Sequence, residues 1–297
     1  MKEPDAEKSA RSAKEFTYPL PDSSSETKRL IQQSAFINPF TRALFGEAGI
    51  APNMTVLDVG SGAGDVALLA ADLVGSKGRV VGVDRNGAGL EIARARAKSA
   101  GLSHLMFREG NLADIGSDEK FDAVVGRLVL MYQPDPAATL RQLASHLKPG
   151  GIVAFGEYNI TPDAMRAPKG MPLTAKLFAW IDGAFRYAGA ETRMADRLFR
   201  TYRDAGLANP KLSLMSYVGG GQEWEGYAYA AATVRSLMPL ILKAGLASAD
   251  EIGIDTLEER LRREVVAANG VIRLPELINA WARVPGRTAL MRGNGRQ

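Results

Sequence analysis

Val56-Leu57-Asp58-Val59-Gly60-Ser61-Gly62-Ala63-Gly64-Asp65 joins a short apolar run to a helical pattern, Val66 to Val74, that stops at Gly75. Glycines at 60, 62 and 64 let the backbone turn tightly and approach a ligand closely. The free amides at the start of the following helix favour a carboxylate or phosphate. Working outward, the rhythm repeats. RVVGVD (79–84) is followed by a helical pattern ended by Gly101, LMFREG (105–110), FDAVVGR (121–127), a helix around TLRQLASHL ended by Pro149-Gly150-Gly151, and GIVAFGEY (151–158). Strand and helix in that alternation predict an α/β domain with a parallel sheet and helices on both faces.

The residues around the loop narrow the ligand. Asp84 ends the second strand, 20 positions past Gly64, where a carboxylate can accept both hydroxyls of a ribose. A dinucleotide would also want that acid. However, the spacing G-x-G-x-G is one residue shorter than the dinucleotide pattern G-x-G-x-x-G. Asp58, two positions before the first glycine, would repel a pyrophosphate and attract an ammonium and a sulfonium. Those charges point to S-adenosylmethionine. A nicotinamide-dependent oxidoreductase is the competing reading; it is opposed by the spacing, by Asp58 and by the lack of a Tyr-x-x-x-Lys pair placed for hydride chemistry.

With these motifs in place the chain resembles the class I S-adenosylmethionine-dependent methyltransferases of the ubiquinone/menaquinone-biosynthesis-like group, most clearly over residues 31–155. The resemblance implies a Rossmann-like sheet of seven strands in the order 3-2-1-4-5-7-6, the last antiparallel and falling near Trp281. It also implies that Gly60, Ser61, Gly62 and Gly64 form the cofactor loop and that Asp84 holds the ribose. Arg85 would lie against the adenine, and Asn111 and Leu112 at its edge, Asn111 standing where an Asp is common. The backbone near Arg127 and Leu128 would face the methionine end of the cofactor.

The remainder of the chain predicts how that core is elaborated. Residues 1–28 are polar, with Pro19, Pro21 and the run Ser23 to Ser25, and suggest a flexible arm; residues 287–297 form a basic tail. The core occupies 29–160, with helical cap insertions at 161–192 and 222–270 and the end of the sheet at 193–221 and 271–286. One strand is expected over LSLMSYV (212–218) and a last one near Leu277 to Val284. Trp180, Phe185, Tyr187, Trp224, Tyr227 and Tyr229 gather in the insertions. Aromatic residues at helical spacing more often build core than pocket, but any that line a cleft would suit an apolar or aromatic acceptor.

Composition removes several chemistries. With no cysteine there is no disulfide framework, no thiolate metal site and no nucleophile for cytosine C5 methylation. No metal is expected, because Arg127 stands where metal-dependent catechol methylation would place a carboxylate. Thirty-seven Lys and Arg against 33 Asp and Glu leave +4, well interspersed, a weak footprint for nucleic acid or membrane. No apolar run approaches the roughly 18 residues of a bilayer span and no signal peptide is evident, so a cytoplasmic protein is expected. A small-molecule acceptor remains, methylated on O, N or C. Methyl transfer from a sulfonium needs orientation more than a base. If a base is used, Glu157, at the carboxyl edge of the fifth strand, is the candidate. His104 sits in a turn and His146 in the last turn of a helix, positions that explain them without catalysis. A chain that binds the cofactor without turnover has the same sequence signature.

Overall fold

A computed structural model describes residues 24–286, apart from 117, 162, 166 and 167. In chain order the first elements are α1 (Ser24–Ala48), β1 (Thr55–Val59), α2 (Asp65–Val74), β2 (Arg79–Asp84), α3 (Gly87–Ser99), β3 (Leu105–Glu109), β4 (Phe121–Arg127), α4 (Pro136–Ser145) and β5 (Leu147–Asn159). These elements are capped by local chemistry. Asn86 accepts the amide of Gly89 at 3.3 Å at the start of α3, and Asp135, followed by Pro136, accepts the amide of Ala138 at 2.8 Å at the start of α4. Helix α2 ends on Gly75 at φ +70°.

Strands β1 to β5 pair in parallel, and successive residues turn to opposite faces. Val56, Ala123 and Ile152 join a core with Leu44, Phe45 and Val66, while Leu57, Val124 and Val153 join a second core with Leu140 and Leu143. Both faces are thus covered, which is why these strands read as unbroken apolar runs.

After β5 the chain forms α5 (Pro172–Tyr187), α6 (Met194–Asp204), β6 (Lys211–Met215), β7 (Val218–Gly219), α7 (Gly226–Lys243), α8 (Ala249–Ile252), α9 (Leu257–Ala267), β8 (Ile272–Arg273) and β9 (Glu276–Arg283). β9 inserts antiparallel between β5 and β6, giving the order β3-β2-β1-β4-β5-β9-β6. That is the expected seven-stranded arrangement, with β9 as its seventh strand in sequence. The phenol of fully buried Tyr202 on α6 donates to the carbonyl of Ala280 at 2.7 Å, fixing α6 against β9.

Helices α5, α7 and α9 pack on one another beyond the sheet edge. Glu264 on α9 accepts the amides of Leu173 and Thr174 at 2.7 and 2.8 Å and so caps the start of α5.

Two sequence expectations need correction. Helix α1 begins at Ser24, so residues 24–28 are helical rather than part of an arm; residues 1–23 and the tail 287–297 lie outside the described residues. The single strand expected over 212–218 breaks after Met215, because Ser216 turns its hydroxyl to the carbonyl of Leu274 at 2.8 Å and β7 pairs with β8 instead.

Candidate active site

The ends of β1, β2 and β3 lie side by side and place the sequence-predicted residues in one group. The amides of Gly60 and Ser61 donate to the carbonyl of Val83 at 2.9 and 3.1 Å, which folds the loop back over β2. Gly60 adopts φ +67° and Gly62 φ +50°. A Cβ at Gly60 would stand 2.7 Å from a methyl of Val129, whereas one at Gly62 would meet no protein atom within 4 Å. The first glycine is therefore required for packing, and the second leaves the space above the loop open.

Asp84 carries two amides on its carboxylate: Gly62 at 2.8 Å and Asn86 at 2.8 Å. It thereby fixes the loop, while staying half-buried at the strand end. Gly110 donates to the carbonyl of Asp84 at 3.0 Å, which brings Asn111 and Leu112 beside it. Asn111 is exposed, and its amide is held by Asp114 at 2.6 Å at the head of a single 3-10 turn, Leu112 to Asp114. Arg85 is exposed next to Asp84.

Asp58 is fully buried under the loop. Ser61 donates its hydroxyl to Oδ2 at 2.6 Å, but Oδ1 has no partner. Burial pushes its carboxyl up to about 7, against the opposing pull of the Ser61 hydroxyl and the Arg127 guanidinium. An acid held in this way gains from a cation placed above it. The orphaned oxygen of Asp58, the open space at Gly62 and the strand-end carboxylate of Asp84 together fit a ligand with an ammonium and a ribose. These are features of S-adenosylmethionine.

The end of β4 completes the group. Leu128 has φ +59°, an unusual conformation for a leucine, and its amide donates to Gly156 at 2.9 Å. The next three amides converge on Glu157: Val129 at 2.9 Å and Leu130 at 2.7 Å on Oε1, Met131 at 3.4 Å on Oε2. Burial raises the Glu157 carboxyl to about 7, opposed by those three amides. The expectation of a proton acceptor does not suit this geometry. Glu157 is fully buried, occupied by backbone, and not among the residues lining the neighbouring cavity.

That cavity, about 170 Å³, opens between the strand ends and the inserted helices. Asp65, Arg127 and Leu128 line one side; Phe178, Phe185 and Tyr229 line the helical side. Tyr158 and Tyr229 bring their hydroxyls to 3.2 Å inside it, and burial holds the Tyr158 phenol well above its usual value. Of the six aromatic residues singled out in the insertions, Phe185 and Tyr229 line the cavity, Trp180 is core, Trp224 packs edge-on against Tyr227, and Tyr187 is exposed. Arg127 turns its side chain toward α1, donating to Thr41 at 2.8 Å and Asn38 at 3.3 Å. Tyr158 and Arg96, the ion-pair partner of Asp65 at 2.7 Å, carry no sequence motif that would have marked them for the site. His104 lies against the carbonyl of Ala71 at 2.9 Å and His146 caps α4; neither lines the cavity. Among the described residues no cluster of acids and histidines is placed to hold a metal. No helix there is long and apolar enough to cross a membrane.

A glycine loop, a buried acid before it and a second acid at the next strand end, on a sheet with this order, fit an S-adenosylmethionine-binding α/β domain. Residues 50–191 match the family model described as a methyltransferase domain. That match takes in a little under half of the chain and supports an S-adenosylmethionine-dependent methyltransferase domain there. The chain is 37% identical over 110 residues to the arsenite methyltransferase of Aquipseudomonas alcaligenes, covering 34% of this chain and 32% of that one. It is 29% identical over 181 residues to the demethylmenaquinone methyltransferase of Bacillus pumilus, covering 55% of this chain and 74% of that one. The chain spans under half the length of the first curated relatives it matches, 32% and 46%. In fold it is similar to phosphoethanolamine N-methyltransferase 2 of Haemonchus contortus, solved with S-adenosylmethionine, at TM-score 0.53 and 15% identity, covering 83% of this chain and 52% of that one.

Proposed function

We propose that this protein transfers a methyl group from S-adenosylmethionine to a small apolar or aromatic metabolite. The observation that carries the reading is the cavity beside Leu128, apolar over most of its wall, walled on one side by the cofactor strand ends and on the other by α5 and α7. When bound, S-adenosylmethionine supplies a methyl group on a sulfonium, a good leaving group.

The chain's own residues bind and orient. Asp58 takes the ammonium, Asp84 the ribose hydroxyls, Arg85, Asn111 and Leu112 the adenine side, and the backbone at Arg127 and Leu128 the methionine end. The cavity holds the acceptor dry and in line, which supplies much of the acceleration without a base. In this reading Glu157 is a positioning residue: it clamps the turn that carries Leu128. A cytoplasmic setting, and partners limited to small molecules, are part of the proposal.

Parallel calorimetric titrations with S-adenosylmethionine, S-adenosylhomocysteine and reduced nicotinamide dinucleotide test the cofactor. Micromolar binding of the sulfur compounds alone is expected, followed by turnover in a screen of aromatic acceptors. Binding of the nicotinamide alone would move the protein to redox chemistry, and binding without any turnover would make it a silent cofactor-binding protein.

A further inference from the structure

We propose that Arg127 selects the acceptor: the molecule that enters the cavity is a ring-bearing organic acid, anionic when bound. This rests on the methyl-acceptor reading of the cavity and narrows it to one chemical class.

Two charged side chains, Arg127 and Asp65, line the cavity. Asp65 is already paired with Arg96 at 2.7 Å, and Arg127 stands at 3.9 Å from its other oxygen, beyond hydrogen-bonding distance. Two guanidiniums thus share one carboxylate, and the nearer of them is Arg96, so Asp65 compensates Arg127 only in part. The Arg127 side chain is only 10% exposed. Its hydrogen bonds among the described residues, to Asn38 and Thr41, both come from Nη1 and both go to neutral oxygens. Nε–H and the two hydrogens of Nη2 are left for another acceptor. A nearly buried, under-compensated guanidinium is costly, and an anion presented to its open edge relieves that cost through charge-assisted bonds. Asp58, the other carboxylate that feels this cation, sits under the glycine loop and is assigned to the cofactor ammonium.

The rest of the wall describes the body of the acid. Ile37, Leu177, Phe178, Ile181, Phe185 and Leu237 offer an apolar surface with an aromatic edge. About 170 Å³ suits one or two fused rings, compared with the roughly 150 Å³ cavity that holds benzene in an engineered protein core. The paired hydroxyls of Tyr158 and Tyr229 can contact a second oxygen. When the ionised oxygen itself takes the methyl group, the O–CH3 bond forms as the S–CH3 bond breaks, S-adenosylhomocysteine leaves, and no proton has to be removed. That agrees with a wall whose single carboxylate is in an ion pair and with a Glu157 occupied by backbone amides.

The test uses two probes of one shape, 2-naphthoate and the neutral 2-naphthalenemethanol, titrated into the full chain with and without S-adenosylhomocysteine. The wild type is expected to bind the acid about 10-fold or more tighter than the alcohol. The preference should fall to within about 3-fold in Arg127→Gln and survive in Arg127→Lys, which keeps the charge. An equal affinity of the wild type for both probes would overturn the assignment, and that arm needs no variant to fold. A preference that persists in Arg127→Gln would also overturn it. So would a variant that loses S-adenosylhomocysteine and keeps the acid preference, since Arg127 would then serve the cofactor carboxylate. Failure of the wild type to bind S-adenosylhomocysteine counts separately, against the methyltransferase reading itself.

Discussion

Oε1 of Glu157, near the end of β5, lies 2.7 Å from the amide nitrogen of Leu130, 27 residues earlier in the chain. With Val129 and Met131 on the same carboxylate, this contact holds the turn that follows Leu128. A leucine at φ +59° costs about 1–2 kcal/mol, which the clamp offsets. Glu157→Gln replaces one acceptor oxygen by an amide donor that faces a donor. We expect a loss of about 2–3 kcal/mol and a fall in Tm of roughly 5–10 °C by scanning calorimetry. A variant as stable as the wild type but slow in methyl transfer would restore Glu157 as a base.

The distance in sequence explains why this role was hidden. Backbone amides have no residue-type signature, so a strand-end glutamate reads as a catalytic acid until its partners are seen. The glycine loop was legible because its demands are local: three glycines, Asp58 and the start of α2 fall within ten residues. The sheet order was legible only through family resemblance, since nothing in Glu276–Arg283 says that β9 slides between β5 and β6. The cavity was the least visible part. Trp180 and Tyr229 both sit on apolar helical stripes, and only the way α5 and α7 cross sends one into the core and the other to the cavity wall.

Cofactor binding should depend on pH through Asp58. Its carboxyl, raised to about 7, is protonated in the free protein below that pH, and an ammonium prefers the ionised form. Affinity for S-adenosylmethionine should therefore rise roughly 5- to 10-fold between pH 6 and 7.5, and Asp58→Asn should bind weakly with a flat profile. Stability runs the other way. A folded value above that of the unfolded chain means more protons are held by the fold between about pH 4 and 7. The contribution of Asp58 is thus greatest below that window and is lost as pH rises through it. The Tm of Asp58→Asn, relative to wild type, should climb from pH 5 to 8; a constant difference would contradict the buried, ionisable Asp58 described above.

The two glycines should fail in different ways. Gly60→Ala forces a Cβ to 2.7 Å from a Val129 methyl at φ +67°, so the expected result is a loss of about 2 kcal/mol or more in denaturant unfolding. Gly62→Val meets no protein neighbour and should lose only about 1–2 kcal/mol to its positive φ, yet abolish S-adenosylmethionine binding by filling the open side of the loop. Retained calorimetric binding by Gly62→Val would place the ligand elsewhere.

Asp84 combines two tasks that substitution can separate. Its carboxylate holds the amides of Gly62 and Asn86, and its place at the end of β2 offers the same group to a ribose. Asp84→Ala removes both and should weaken S-adenosylmethionine by roughly 10- to 100-fold, equivalent to about 1.5–3 kcal/mol for charge-assisted bonds. Adenosine, which keeps the ribose and lacks the methionine, tells the tasks apart. If Asp84 reads the ribose directly, its loss should weaken adenosine by a similar factor. If Asp84 only shapes the glycine loop beneath Gly62, adenosine should be spared while S-adenosylmethionine suffers. Unchanged affinity for both would remove Asp84 from the site.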